Sequence, residues 1–261
     1  MTLAQQFTSL RAKQERALVL FLTAGDQPIG DLPAILELLA DAGADAIEVG
    51  IPFSDPFGEG PTIQDSSQRA LDNGATPRAI LEAIGKTQVS VPLVTMGYYN
   101  PVLRIGLRKY AELSQQNGVT GTIISDLVPD EADAWIEASK EFDLETIFLA
   151  APTSTAVRLA EVCAKSTGFV YAVSRTGVTG AESQVPPEVS NLVASIRAQT
   201  DKPVCVGFGI STPEHVAMVC ETADGAVVGS FLVKLLHQRW GTPGGAEAIT
   251  AAVQALKAAT R

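Results

Sequence analysis

Short, almost wholly apolar runs recur along this chain, each followed by a longer stretch with apolar residues at helical spacing. The runs are Ala17–Ala24, Ala46–Ile51, Pro92–Tyr99, Gly121–Asp126, Glu145–Pro152, Gly168–Arg175, Pro203–Gly209 and Gly225–Phe231. They are rich in Val, Ile and Leu and read as strands buried on both faces of a parallel sheet. Between them, Leu107, Tyr110, Ala111 and Leu113 show the helical period, and a segment from about Asp31 to Asp41 is amphipathic. Eight such units in 261 residues predict an α/β fold, a (β/α)8 TIM barrel in one domain spanning 1–261. Thr153-Ser154-Thr155 and Ser211-Thr212-Pro213-Glu214 read as helix caps, and Leu3–Gln14 as an extra N-terminal helix over the barrel bottom.

Composition narrows the partners. Apolar residues make up 46% of the chain and charged residues 18%, enough for a large core. The net charge of -10 argues against a nucleic-acid backbone but leaves room for a local phosphate site. Cys163, Cys205 and Cys220 form no C-x-x-C pair, which suits structural thiols in a reducing cytoplasm. The apolar run Ala17–Gly25 is too short to span a membrane and lacks a convincing cleavage site, so no membrane association is expected.

The run Ala46–Ile51 contains an acid, Glu48. Strand alternation sets Ile47, Val49 and Ile51 toward the helices, and Ala46, Glu48 and Gly50 toward the barrel interior. An ionised carboxylate buried there without a partner is costly, so either an internal ion pair, with Arg175 available, or acid/base chemistry explains it. Its place near the C-terminal end of a barrel strand favours chemistry, with a pKa raised by desolvation. Two further acids follow in the loop, Asp55 and Glu59. Asp55, between Ser54 and Pro56, has the setting of a turn former; Glu59 lies between Gly58 and Gly60 and by itself reads as an exposed loop acid.

Two glycine-rich strand ends come late: Val206-Gly207-Phe208-Gly209-Ile210-Ser211 and Val228-Gly229-Ser230. In barrels of this kind the last two loops commonly bind a phosphate with backbone N–H groups, so Gly209, Gly229 and Ser230 are candidates; tight packing at strand ends is the alternative. The loop Ser174–Glu182 is small, polar and glycine-flanked, as a closing lid would be.

The stretch Glu48-Val49-Gly50-Ile51-Pro52-Phe53-Ser54-Asp55-Pro56 through Gly60-Pro61-Thr62-Ile63-Gln64 resembles the signature of the tryptophan synthase alpha chain family. The likeness extends from Phe21-Leu22-Thr23-Ala24-Gly25-Asp26 to Val227-Val228-Gly229-Ser230. It implies retro-aldol cleavage of indole-3-glycerol phosphate to indole and glyceraldehyde 3-phosphate in tryptophan biosynthesis. It implies catalytic roles for Glu48 and Glu59, and substrate contacts from Phe21, Tyr171, Thr179, Gly180, Gly209, Gly229 and Ser230. Asp55 and Arg175 would couple this site to a partner, and Asn100 and Asp126 also match family positions. The implied partner is a tryptophan synthase beta chain in an αββα assembly, which would hold pyridoxal phosphate; this chain would need no cofactor or metal.

The residue inventory suits that chemistry. A Schiff-base aldolase needs a lysine in the barrel, yet Lys202 precedes a strand and Lys234 follows one. His215 and His237 are far apart in helical segments and suggest no metal site. Protonating indole at carbon 3 creates the electron sink instead, with Glu48 as acid and, once ionised, as base for the glyceryl hydroxyl. Glu59 would accept the indole N–H, within a pocket lined by Phe21, Leu127 and Tyr171. One departure stands out: the family usually has Asp at the position of Glu59, and often Ala at that of Gly58. The extra methylene moves the carboxylate by about 1.5 Å, and about 1 Å of misplacement can cost roughly a hundredfold in rate. A free-standing lyase and a non-catalytic, phosphate-binding regulatory subunit are the alternatives.

Overall fold

The computed structural model describes residues 1–173, 187–207 and 209–261. Its strands are β1 (Ala17–Thr23), β2 (Ala46–Gly50), β3 (Leu93–Gly97), β4 (Val119–Ile124), β5 (Glu145–Ile147), β6 (Leu149–Ala150), β7 (Val170–Val173), β8 (Val204–Gly207) and β9 (Gly225–Val228). All pair in parallel, in the order β5-β4-β3-β2-β1-β9-β8-β7-β6. β5 and β6 are two parts of one strand, separated by Phe148 alone, so the sheet closes on itself. At Phe148 the N–H turns away from the ladder and donates to the Ser166 hydroxyl at 3.1 Å, while the carbonyl still accepts from the Tyr171 N–H at 3.2 Å. The expected eight-stranded (β/α)8 barrel is therefore present.

The helices are α1 (Leu3–Ala12), α2 (Leu32–Ala42), α3 (Pro61–Asp72), α4 (Pro77–Ile84), α5 (Tyr99–Ile105), α6 (Leu107–Gln116), α7 (Asp133–Glu141), α8 (Ala156–Lys165), α9 (Pro187–Arg197), α10 (Pro213–Cys220), α11 (Ser230–Arg239) and α12 (Gly245–Ala258). Two connections, from β2 to β3 and from β3 to β4, thus hold two helices where the apolar period suggests one. Breakers explain them: Gly74 and Gly106 adopt φ of +78° and +95°, and Pro77 restarts α4 behind a Thr76 cap. The expected caps form, with the Thr155 hydroxyl accepting from the Arg158 N–H at 3.2 Å and that of Thr212 from the His215 N–H at 3.3 Å. β4 begins two residues earlier than the apolar run suggests, because a bulge between Leu93 and Val94 accommodates Thr120.

Alternation splits the core in two. Leu18, Leu20, Leu22, Ile47, Val49 and Ile51 face outward and pack beneath the helices. Val19, Ala46, Val94, Ile123, Ile147, Phe169, Tyr171, Cys205 and Val227 fill the interior, joined by Leu3, Phe7 and Leu10 of α1. α1 thus closes the bottom of the barrel, as expected. The Glu145 carboxylate secures it by accepting the Leu3 and Ala4 N–H groups at 2.8 and 3.3 Å.

Candidate active site

Glu48 points inward from the middle of β2, level with Phe21 on β1 and Val94 on β3. It is 0% exposed. Neither carboxylate oxygen has a hydrogen-bond partner among the described residues. The candidate ion-pair partner Arg175 lies outside the described residues, as do Thr179 and Gly180. Burial, followed by the charge of Glu59, pushes the Glu48 carboxyl up to about 8. Near neutral pH it holds its proton and is equipped to donate it.

Glu59 is half-buried on the loop between β2 and α3, and burial raises its pKa as well. Its backbone is fixed on both sides: the N–H donates to the Pro56 carbonyl at 3.0 Å, and its carbonyl accepts from Gln64 Nε2 at 2.8 Å. Glu59 lines a cavity with Phe21, Gly50, Ile63, Met96 and Tyr98. At about 20 Å³ this space holds about one water. Met96 and Tyr98 escaped the sequence reading; extending the inward alternation of Val94 along β3 would have found them.

Two glycines make room for the aromatic walls. A β-carbon at Gly50 would stand 2.6 Å from Phe21 Cζ, and one at Gly207 would stand 2.4 Å from the Tyr171 hydroxyl oxygen. Tyr171 is buried, and burial together with the Glu48 and Glu59 charges drives its pKa well above the usual value. The hydroxyl stays protonated and can donate. Leu127 lines a second cavity instead, of about 350 Å³, with Ser125, Leu149, Thr153 and Arg158.

The glycine-rich ends lie at the same mouth. Gly229 precedes the first turn of α11, a β-carbon on it would be 3.6 Å from Phe21, and the Val233 N–H donates to its carbonyl at 3.0 Å. Ser230 opens that helix and is exposed. Gly209 has φ +66°, a conformation that favours glycine. Phe21 therefore stands between the carboxylate end and the glycine-rich end.

The remaining candidates have local partners. Asp55 is exposed; its carboxylate accepts from the Ser54 hydroxyl at 2.6 Å and its carbonyl from the Phe57 N–H at 2.9 Å, as a turn former does. Asp126 accepts from the Tyr99 N–H at 2.7 Å, tying the start of α5 to the end of β4, while Asn100 is exposed. No lysine is buried: Lys202 holds the Cys163 carbonyl at 2.6 Å, Lys257 bridges Glu15 and Asp45, and Lys234 is exposed. His215 is buried on α10, and His237 lies 3.9 Å from Asp26. No group of three potential metal ligands occurs among the described residues.

The arrangement offers an interior proton donor beneath a second carboxylate, an aromatic wall and a backbone-lined end suited to an anion. The family model described as "Tryptophan synthase alpha chain" matches residues 7–261. The tryptophan synthase alpha chain of Geobacter sulfurreducens is 47% identical over 238 residues, covering 90% of each chain. That of Desulfatibacillum aliphaticivorans is 41% identical over 257 residues, 98% of this chain and 97% of the other. Among solved structures, the tryptophan synthase alpha subunit of Legionella pneumophila superposes with a TM-score of 0.91 at 32% identity, covering 100% of this chain and 98% of that one. A Mycobacterium tuberculosis tryptophan synthase chain does so with a TM-score of 0.90 at 37% identity, covering 99% and 98%. Fold and sequence agree, and the chain belongs to the tryptophan synthase alpha chain family.

Proposed function

We propose that this chain, acting as one barrel domain, cleaves indole-3-glycerol phosphate to indole and glyceraldehyde 3-phosphate, with Glu48 and Glu59 as its two working carboxylates. The observation that carries this is Glu48: wholly buried, without a partner among the described residues, and protonated up to a pKa of about 8. A structural acid would be paired; an acid kept neutral in an apolar barrel is a proton donor. Glu48 gives its proton to carbon 3 of the indole. The carbon–carbon bond then breaks toward the ring, and the Glu48 carboxylate takes the proton of the glyceryl hydroxyl as the aldehyde forms. Glu59 accepts the indole N–H and opposes the positive charge that grows there. Phe21 and Tyr171 flank the ring, and Gly209, Gly229 and Ser230 take the phosphate, with Thr179 and Gly180 assigned as further substrate contacts.

The partner we assign is a tryptophan synthase beta chain in an αββα assembly, coupled through Asp55 and Arg175. Exposed apolar side chains support a partner at the mouth of the barrel: Phe57 is 76% exposed, Val157 at the start of α8 74%, and Leu103 50%. Pyridoxal phosphate belongs to the partner, since the lysines here are committed or exposed outside the barrel. No described helix is long and apolar enough to cross a membrane. The three buried free thiols suit the cytoplasm.

The test is indole release by the purified chain, alone and with a beta chain, for the native protein and for Glu48→Gln and Glu59→Gln. Slow release that rises with the partner, and falls to a small residual rate in both variants, is the expected result. Stimulation of the beta chain without any indole release would make this a regulatory subunit.

A further inference from the structure

The loop that carries Glu59 is gathered onto one side chain from the next strand. Tyr98, just past β3, stacks on Phe53 with ring centroids 5.1 Å apart and takes Phe57 edge-on at 5.4 Å. Its hydroxyl accepts the Gly58 N–H at 3.1 Å. The ring is 4% exposed, so this anchor is set in the barrel wall rather than in the loop. Three loop residues thus converge on a single phenol, and Glu59 is the residue that follows. Gly58 matters to the contact, because a β-carbon there would stand 3.2 Å from the Tyr98 oxygen, tighter than most such contacts.

We propose that Tyr98 is a positioning residue for Glu59: its hydroxyl draws the Gly58 amide toward β3 and so sets where the Glu59 carboxylate stands. Glu59 is the next residue in the same short turn, its N–H donating to the Pro56 carbonyl at 3.0 Å, so the turn that Tyr98 grips at Gly58 also carries Glu59. The idea rests on reading Glu59 as the second working carboxylate.

The experiment measures indole release by Tyr98→Phe, which keeps the ring stack and removes one oxygen, in the native and Glu59→Gln backgrounds. In the native background kcat should fall about tenfold to a hundredfold with KM nearly unchanged, since the error is one of geometry. In Glu59→Gln the same change should alter the residual rate less than about threefold, because there is no carboxylate left to seat. Equal losses in both backgrounds would overturn the proposal. So would an unaltered kcat in Tyr98→Phe when Glu59→Gln is inactive, and the reading of Glu59 would then survive. Full activity of Glu59→Gln itself would remove both. Gly58→Ala gives a second approach should Tyr98→Phe fold poorly: it should lower kcat with Tyr98 present, and an undiminished kcat would overturn the proposal.

Discussion

Tyr171 lies across Gly207 so closely that a β-carbon there would stand 2.4 Å from its hydroxyl oxygen and 2.8 Å from Cζ. The two residues sit on adjacent strands, and Tyr171 is held from below by Phe169, with ring centroids 6.0 Å apart. Gly207→Ala must therefore push the ring into the space above Glu48. We expect kcat/KM for indole release to fall roughly tenfold to a hundredfold, from about 1 Å of displacement. Adding Tyr171→Phe removes the worst contact and should recover part of the loss. Steady-state kinetics on the two variants and the pair would show it.

Glu48 weakens the fold that it serves. Its pKa is raised from the usual 4.5 to about 8, so as pH rises across that window the unfolded chain releases a proton that the folded chain retains. Its contribution is fully present below about 4.5 and lost as pH rises toward 8. Glu48→Gln abolishes this slope. Relative to the native protein, the variant should gain on the order of 4 kcal/mol between the two ends of the window. Urea denaturation at both pH values measures the difference. The same variant should lose about a thousandfold or more in indole release.

The rate should carry the same group's signature. A proton donor with a pKa of about 8 is lost as pH rises through that value, so kcat should fall on the alkaline side. Burial is the larger cause of the shift and the Glu59 charge the smaller. In Glu59→Gln the alkaline limb should move to lower pH while staying well above the ordinary carboxyl range. A pH–rate profile of the residual activity reads this directly, and an unmoved limb would mean that the two carboxylates do not interact.

A half-buried ion pair fixes the helix behind Glu59. Arg69 on α3 holds Asp26 with its Nε at 2.6 Å and an Nη at 3.0 Å, and the Asp26 side chain is only 2% exposed. One turn earlier, the Ser66 and Thr23 hydroxyls lie 2.7 Å apart. Arg69→Ala leaves Asp26 without that partner and, with Arg69 35% exposed to solvent, should cost roughly 1–2 kcal/mol. Chemical denaturation would check the loss. Because α3 begins two residues after Glu59, kcat should fall with it.

Much of this was legible in the order of residues. Strand alternation placed Glu48 inside the barrel and Ile47, Val49 and Ile51 outside, and both assignments hold. The doubled helices were not legible in the apolar period, because Gly74 and Gly106 interrupt segments whose apolar spacing continues past them. The interruption at Phe148 was hidden for another reason: its partner, Ser166, is distant in sequence and ordinary in type. Tyr98 went unnoticed because nothing about one tyrosine in an apolar run reveals three loop residues folded over it.

The helix plugged into the barrel's lower end has a consequence for the proton itself. With Leu3, Phe7 and Leu10 sealing that end and Glu48 wholly buried above them, the barrel is closed below the acid among the described residues and opens above it like a cup. On the proposed chemistry, an indole ring seated in the opening isolates Glu48 from solvent for the whole turnover. The proton it gives to carbon 3 is then replaced only by the one it takes from the glyceryl hydroxyl. Each cycle leaves the acid protonated for the next, and deuterium from the solvent enters only in the interval when the cup stands open.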